Sequence, residues 1–253
     1  MLTEAIKPKS NTIAQARQFV LNLHNKAANA KLLYHNYAQT AAVVEQVEQL
    51  SNTLPSAKPE VVEIALLAAY FHQVGYLKKY QNPQEASKQL AQQFLTSINY
   101  SSSHAPHVLR SIEASFEGKA HNIAAALLVD ALHYVRYGEQ YNEWSGLLRI
   151  EQELMLDKTI PKKDWQAQEL QTLLQVQFYT PHGKTSFAPL VGQNIVKQKN
   201  RVDKAKVEAA NPSLHRDNAP FTSLPITGID RGAQTFFRTT FRTHINLSAI
   251  AVN

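Results

Sequence analysis

Three polar residues in this 253-residue chain could carry chemistry, because packing alone explains their positions poorly. His35 opens the second helical pattern, His72 follows a long apolar run, and Asp130 lies inside the apolar residues 125–132. A carboxylate is costly to bury unless it is paired or bound to a metal ion. Packing offers an alternative for each residue: a buried histidine bonds a backbone carbonyl, and the aspartate meets an arginine of another helix. Taken singly, the residues leave both alternatives open.

The elements that must position these residues are helices, because apolar residues recur at helical spacing along most of the chain. The third helix, opened by Pro59, is apolar on nearly every side, which is typical of the centre of a bundle. No segment shows the alternation of a strand, so we predict an all-α helical bundle. The helices are expected near residues 13–23, 37–47, 59–71, 84–94, 105–116, 121–136, 144–156, 161–179 and 187–209.

Composition excludes several classes of protein. The chain has no cysteine, so it has no disulfide framework, thiolate zinc site or cysteine nucleophile. Hydrophobic residues make up 44% of the sequence, which excludes global disorder. No stretch reaches the roughly 18–20 uncharged apolar residues that a membrane span needs. Because the N-terminus also lacks the pattern of a secretory signal, we expect a cytoplasmic protein.

The common catalytic motifs are absent from the sequence. Gly183, Lys184 and Thr185 imitate the end of a phosphate-binding P-loop. That loop also needs a glycine at position 178, where this chain has Phe178. HExxH, GxSxG and GxGxxG do not occur, which argues against zincin, α/β-hydrolase and dinucleotide-binding functions.

Taken together, the polar residues and their flanks resemble the HD-domain superfamily, and within it a bacterial branch of predicted metal-dependent phosphohydrolases. The resemblance covers about residues 12–200. The segments that carry it are YHNYAQT (34–40), AYFHQVGY (69–76), NPQEAS (82–87), AALLVDAL (125–132), LLRIEQE (147–153) and FYT (178–180). It implies an all-α bundle, which agrees with the periodicity.

The resemblance implies that His35, His72 and Asp130 are metal ligands. The sequence departs from the family pattern after His72, where Gln73 replaces the aspartate of the His-Asp pair. A neutral amide is a weak ligand and cannot bridge two divalent ions as a carboxylate does. We therefore expect at most one divalent ion, with Mn, Fe, Ni and Zn as candidates. Segment similarity and charge suggest Arg149 and Lys184 as the residues that hold a phosphate.

Three functions remain open for this HD-like domain. The first is a degenerate, non-catalytic or weakly catalytic module that senses a nucleotide or has a regulatory role, because the bridging acid is missing. The second is a mononuclear phosphohydrolase that acts on nucleotides or other phosphate esters. The third is a purely structural helical module. No specific nucleic-acid binding is expected.

The C-terminal segment differs from the rest of the chain in charge and in amino-acid composition. Residues 197–253 contain nine basic and four acidic residues. We predict that the HD-like domain covers residues 1–209, a linker covers 210–228, and an amphipathic helix covers 229–253. One stripe of that helix is basic and another is aromatic, a pattern found in membrane-surface, partner-binding and packing helices. The stripes are formed by Arg231, Arg238 and Arg242, and by Phe237 and Phe241.

The last 22 or so residues resemble the opening of the Pycsar-effector transmembrane domain. That resemblance implies a link to anti-phage defence and a partner at the membrane, either the lipid surface or a membrane domain that continues the chain. The basic charge is what a cytoplasmic juxtamembrane segment carries. We therefore expect membrane association through the C-terminus.

Overall fold

The computed structural model describes residues 11–27 and 29–210, which belong to the unit Met1–Ala210. Within those residues there is no strand, so the prediction of an all-α fold is confirmed. A 3₁₀ helix, Val74–Leu77, follows α3, and a π-helical turn, Gly183–Phe187, precedes α9. The α-helices are α1 (Asn11–Ala27), α2 (Tyr37–Asn52), α3 (Pro59–Phe71), α4 (Gln84–Ser97), α5 (Ala105–Glu117), α6 (Ile123–Tyr137), α7 (Tyr141–Leu156), α8 (Lys162–Leu174) and α9 (Ala188–Ala210).

Helix α3 lies at the centre of the bundle. Every residue from Ile64 to Phe71 is buried, and α3 packs against α1, α2, α4, α5 and α6. A helix that is apolar all round loses contact with water only when neighbours cover each of its faces. The sequence of α3 therefore fixes its central place, and His72 is held in the core because it follows α3 directly.

Local signals set the start of two helices that frame the site. The side chain of Asn36 accepts a hydrogen bond from the Gln39 N–H and caps α2. Asn122 does the same for the Ala125 N–H at the start of α6. Each side chain satisfies one of the backbone donors that a first helical turn leaves free.

The start of α4 differs from the sequence pattern. The order Asn82, Pro83, Gln84, Glu85 indicates an asparagine cap followed by a first-turn proline. In the structure Asn82 has a φ of 57°, and Pro83 occupies the cap position without a side-chain hydrogen bond. The Pro83 carbonyl instead accepts from the Ser87 N–H, so backbone alone closes the first turn.

Helix α8 is shorter than predicted. The sequence pattern favours a helix through residue 179, but α8 ends at Leu174. Beyond it the backbone bonds to α6: the Gln177 carbonyl meets His133 Nδ1 at 2.9 Å, and the Tyr179 and Thr180 N–H groups donate to Asp130. These long-range hydrogen bonds replace the intrahelical bonds that four or five further residues of α8 would have made.

The predicted linker and basic helix lie outside the described residues, so their structure stays a prediction. This applies to residues 211–253, including Arg231, Phe237, Arg238, Phe241 and Arg242. Among the helices that the structure does describe, none combines the length and apolar character needed to cross a membrane.

A buried ion pair joins α6 to α8 and provides a test of the packing. Arg136 Nη2 donates to both carboxylate oxygens of Glu169, at 2.7 and 2.8 Å. Arg136→Met should lower the free energy of unfolding by about 3–5 kcal/mol, because it leaves Glu169 buried without its partner. Urea denaturation followed by circular dichroism measures the change.

The double variant Arg136→Met/Glu169→Leu is the control. It removes both charges together, so most of the lost stability should return. If the double variant is as unstable as the single one, the cost comes from lost packing and not from an unpaired carboxylate.

Candidate functional site

His35 is held by a buried carboxylate from a distant helix. Glu151 of α7 is fully buried, and its Oε2 accepts hydrogen bonds from the backbone N–H of Tyr34 at 2.7 Å and of His35 at 2.9 Å. Its Oε1 contacts His35 Nδ1. One carboxylate thus fixes both the backbone that leads into α2 and the orientation of the His35 ring.

Burial and hydrogen bonding set the charge of this pair. Burial lowers the pKa of His35, although Glu151 acts in the opposite direction. Burial alone would raise the pKa of Glu151, but the His35 ring and the two backbone donors outweigh it and lower that pKa. The pair is therefore a carboxylate that accepts from the Nδ1–H of a neutral imidazole, which leaves His35 Nε2 unprotonated.

Tyrosine rings enclose His35. Its ring stacks on Tyr76 with centroids 3.5 Å apart and planes 17° apart, and it meets the edge of Tyr34 at 4.7 Å. Burial, together with the charge of Glu151, raises the pKa of Tyr76 to about 12. Burial and a hydrogen bond to Glu151 also raise the pKa of Tyr80. Both tyrosines are therefore neutral at physiological pH.

The two ring nitrogens of His72 differ in their hydrogen bonding. Its Nδ1 lies 2.6 Å from the Ala69 carbonyl oxygen, and because a carbonyl only accepts, Nδ1 carries the proton. Its Nε2 is buried and has no hydrogen-bond partner among the described residues. Burial lowers the pKa of His72 to about 4, so Nε2 is a neutral nitrogen with a free lone pair at pH 7.

Ser87 of α4 fixes the turn that carries His72. Its fully buried hydroxyl donates to the His72 carbonyl at 3.2 Å and accepts from the Gly75 N–H at 2.9 Å. A Cβ on Gly75 would overlap the Pro83 carbonyl oxygen, so only glycine allows this close approach. The NPQEAS segment thus contributes to the site by holding the backbone of His72.

Gln73, the residue in place of the family's aspartate, ties two helices together. Its Nε2 donates to the Asn36 carbonyl at 2.9 Å and to Thr40 Oγ1 at 2.7 Å. These bonds join the turn after α3 to the first turn of α2. The amide that replaces a carboxylate therefore acts as a donor, a role that an ionised aspartate could not fill.

Two cavities lie against His35. One, of about 130 Å³, is lined by His35, His72, Gln73 and Gln39, together with Tyr34, Tyr76, Ser115, Phe116 and Leu132. The other, of about 260 Å³, is lined by His35 and by residues that include His24 and Tyr37. In the first cavity Gln39 Oε1 and His72 Nε2 are buried, and neither has a hydrogen-bond partner in the described part of the chain. We call this first space the histidine cavity.

Asp130 lies apart from the histidine cavity. Its Oδ1 accepts from the Tyr179 N–H at 2.8 Å, and its Oδ2 accepts from the Thr180 N–H at 2.8 Å and from Thr180 Oγ1 at 2.6 Å. Burial raises the pKa of Asp130, which these donors offset only in part. A Cβ on Gly183 would overlap Asp130 Oδ2. The glycine of the imitation P-loop is therefore explained by its close approach to this carboxylate.

The three predicted metal ligands do not all line the same cavity. His35 and His72 line one cavity, whereas Asp130 is not among the described residues that line it. Within residues 11–27 and 29–210, no three histidine, aspartate or glutamate side chains are grouped so that they could hold a metal ion. One divalent ion at His35, His72 and Asp130, with Gln73 as a weak ligand, stays a prediction.

The two residues predicted to bind phosphate occupy different settings. Arg149 Nη1 donates to Glu153 Oε1 at 3.3 Å and to the Ile160 carbonyl at 3.2 Å, so it fastens α7 to the segment before α8. Lys184 is exposed in the π-helical turn before α9. Neither is among the described residues that line the histidine cavity.

Sequence reasoning did not assign roles to two residues that matter here. Glu151 lies seven residues after Trp144, which is two helical turns, and so shares its inward face. His24 follows the buried Val20 by four residues in α1 and lines the cavity of about 260 Å³ beside His35. In both cases helical spacing placed a polar residue on a buried face, which was the available signal.

The buried histidines make stability depend on pH. The pKa of His72 is about 4 in the folded chain, against about 6.5 when it is exposed. Between these values the unfolded chain binds a proton that the folded chain does not, so stability falls as pH falls from 6.5 towards 4. We expect His72 to cost about 2 kcal/mol of unfolding free energy at pH 5 relative to pH 7.

Urea denaturation at both pH values measures this effect. Burial also lowers the pKa of His24 to about 4, so His24 acts in the same direction. The His72→Gln variant should therefore show a smaller pH dependence without losing it entirely. An identical pH dependence in wild type and His72→Gln would contradict the assignment.

The Asp130 network gives a second test. Thr180→Val keeps the shape of the side chain but removes one of the three donors to Asp130, which should cost about 1–3 kcal/mol of unfolding free energy. Thr180→Ser retains the hydroxyl and is the matched control. The interpretation is wrong if Thr180→Val is as stable as wild type, or if Thr180→Ser loses as much as Thr180→Val.

Comparison with known proteins does not identify the chain. No protein-family model, no curated protein and no solved structure matches it. The resemblance to HD domains therefore rests on the segments quoted above, and function has to be argued from the cavity and its lining.

Proposed function

We propose that the helical unit is a regulatory module, related to HD phosphohydrolases, that binds a nucleotide in the histidine cavity without hydrolysing it. The observation that carries the proposal is the state of the polar atoms there. Two buried acceptors, His72 Nε2 and Gln39 Oε1, have no partner among the described residues. No carboxylate is among the described residues that line the cavity.

The lack of a carboxylate in this lining argues against hydrolysis. Hydrolysis at a dinuclear HD-type site needs a carboxylate that bridges the two ions. The acid nearest to His35, Glu151, already accepts three hydrogen bonds from Tyr34 and His35. Asp130 accepts three from Tyr179 and Thr180. Both acids serve the fold, so the cavity is better suited to binding than to turnover.

The two free acceptors favour a ligand that donates N–H groups. His72 Nε2 is unprotonated because Nδ1 carries the proton, and Gln39 Oε1 is an amide oxygen, which only accepts. Amino and imino groups on the edge of a nucleobase have this character. Aromatic walls from Phe116 and Tyr34 suit the faces of a base.

Membrane coupling completes the proposal and rests on the sequence alone. The basic residues Arg231, Arg238 and Arg242 would place the C-terminal segment at an anionic membrane surface or before a membrane domain. The helical unit would then signal its ligand-bound state to that membrane partner.

A mononuclear phosphohydrolase is the alternative function. It is favoured by one observation: the free lone pair of His72 Nε2 is also what a divalent metal ion requires. Binding and turnover can be separated in the same preparation.

The test uses the full chain and a panel of the four common nucleosides with their 5′-monophosphates and cyclic monophosphates. Isothermal titration calorimetry should detect binding of at least one nucleotide. His72→Ala should weaken that binding about tenfold, because one hydrogen bond to the ligand is lost. Exposed His107→Ala is the matched control and should bind as wild type does. Phosphate release with added Mn²⁺ should stay at background.

Two outcomes would overturn the proposal. If no nucleotide in the panel binds, the cavity does not serve this class of ligand. If Mn²⁺-dependent phosphate release occurs and is abolished by His72→Ala, the chain is a phosphohydrolase.

A further inference from the structure

A larger cleft borders the histidine cavity. Its volume is about 580 Å³, and Tyr34, Ser115, Phe116 and Leu132 line both spaces. The histidine cavity alone, at about 130 Å³, is smaller than the roughly 300–1,000 Å³ typical of pockets for small molecules. A nucleotide bound at His72 therefore needs adjoining space, and this cleft provides it.

Arg136 lines the cleft and keeps part of its donor capacity unused. It is 6% exposed, and Nη2 makes the two bonds to Glu169 described above. Its Nη1 is buried and has no partner among the described residues. An unpaired N–H group on a buried cation is costly, so an oxygen atom of a ligand would stabilise it.

Three tyrosines and Glu169 hold the guanidinium group in place. The central carbon of Arg136 lies 5.6, 5.0 and 6.0 Å from the ring centroids of Tyr34, Tyr137 and Tyr141. A cation fixed before the ligand arrives loses little conformational entropy on binding. Arg136 therefore has the rigidity expected of a preorganised anion-binding group.

Lys119 supplies a second cation to the same cleft. It lies next to Gly118, which also lines the cleft, and its side chain is exposed. The one acid among the lining residues, Glu117, faces His121, with Oε2 and Nε2 3.5 Å apart. His133 Nδ1 bonds the Gln177 carbonyl, and burial lowers the pKa of His133, so it adds no charge at pH 7.

We infer that this cleft is a phosphate subsite, in which Arg136 Nη1 and Lys119 bind the phosphate of a nucleotide whose base occupies the histidine cavity. The inference deepens the proposed function and rests on it for the identity of the base. The chemistry of the cleft itself calls only for an anion with several oxygen atoms, since Arg136 and Lys119 both donate to such a group.

The test measures pyrophosphate binding to the full chain by isothermal titration calorimetry at low ionic strength and pH 7. Lys119→Gln should weaken binding about tenfold, because a charge-assisted hydrogen bond is lost. Lys163→Gln removes an equally exposed lysine on α8 and should leave the affinity unchanged. Added salt should weaken the wild-type interaction.

The double variant Arg136→Met/Glu169→Leu tests the buried cation without leaving an unpaired acid. It should also weaken pyrophosphate binding at least about tenfold, once circular dichroism shows that it is folded. If pyrophosphate does not bind wild type, or binds Lys119→Gln and the double variant as tightly as wild type, the inference is wrong and any bound anion is adventitious.

A comparison of nucleosides with their 5′-monophosphates separates this inference from the proposed function. Lys119→Gln should weaken binding of a monophosphate and leave that of its nucleoside unchanged, whereas His72→Ala should weaken both. If pyrophosphate binds at Lys119 while no nucleoside or nucleotide responds to His72→Ala, the phosphate subsite stands and the nucleotide proposal fails. If His72→Ala weakens nucleoside binding but Lys119→Gln does not change the affinity for any anion, only the inference of a phosphate subsite fails.

Discussion

A carboxylate removed from water has to be satisfied by donors, and Glu151 imposes this constraint on the centre of the protein. The donors come from Tyr34 and His35, more than 110 residues away in the sequence. Because one carboxylate receives two backbone N–H groups and an imidazole, it holds the backbone that leads into α2 and orients the His35 ring.

The other buried acids follow the same rule with different partners. Asp130 bonds the segment after α8 through Thr180, and Glu169 pairs with Arg136. Each acid joins elements that are distant in sequence, so each stabilises the bundle. Among the buried polar atoms without a partner in the described residues are two acceptors, on His72 and Gln39, and a donor on Arg136. Acceptors at one end and a cation at the other are the basis of the proposed nucleotide site.

Much of the helical layout could be predicted from the chain. Apolar residues at helical spacing indicate where helices lie, and Pro59 marks the start of the central one. The predicted end of α8 was wrong because Asp130, on another helix, takes up the backbone N–H groups at Tyr179 and Thr180. A local pattern carries no information about such a competing acceptor.

The candidate site was predictable only in part, for the same reason. By itself the sequence determined an all-α fold and showed that His72 follows an apolar run and that Asp130 lies inside one, because hydrophobic periodicity is a local property. Only the tertiary structure decided that the two histidines share a cavity while Asp130 bonds to Thr180. The partner of a buried polar group is chosen by which donors the packed helices bring within about 3 Å, and that distance is set by the whole bundle.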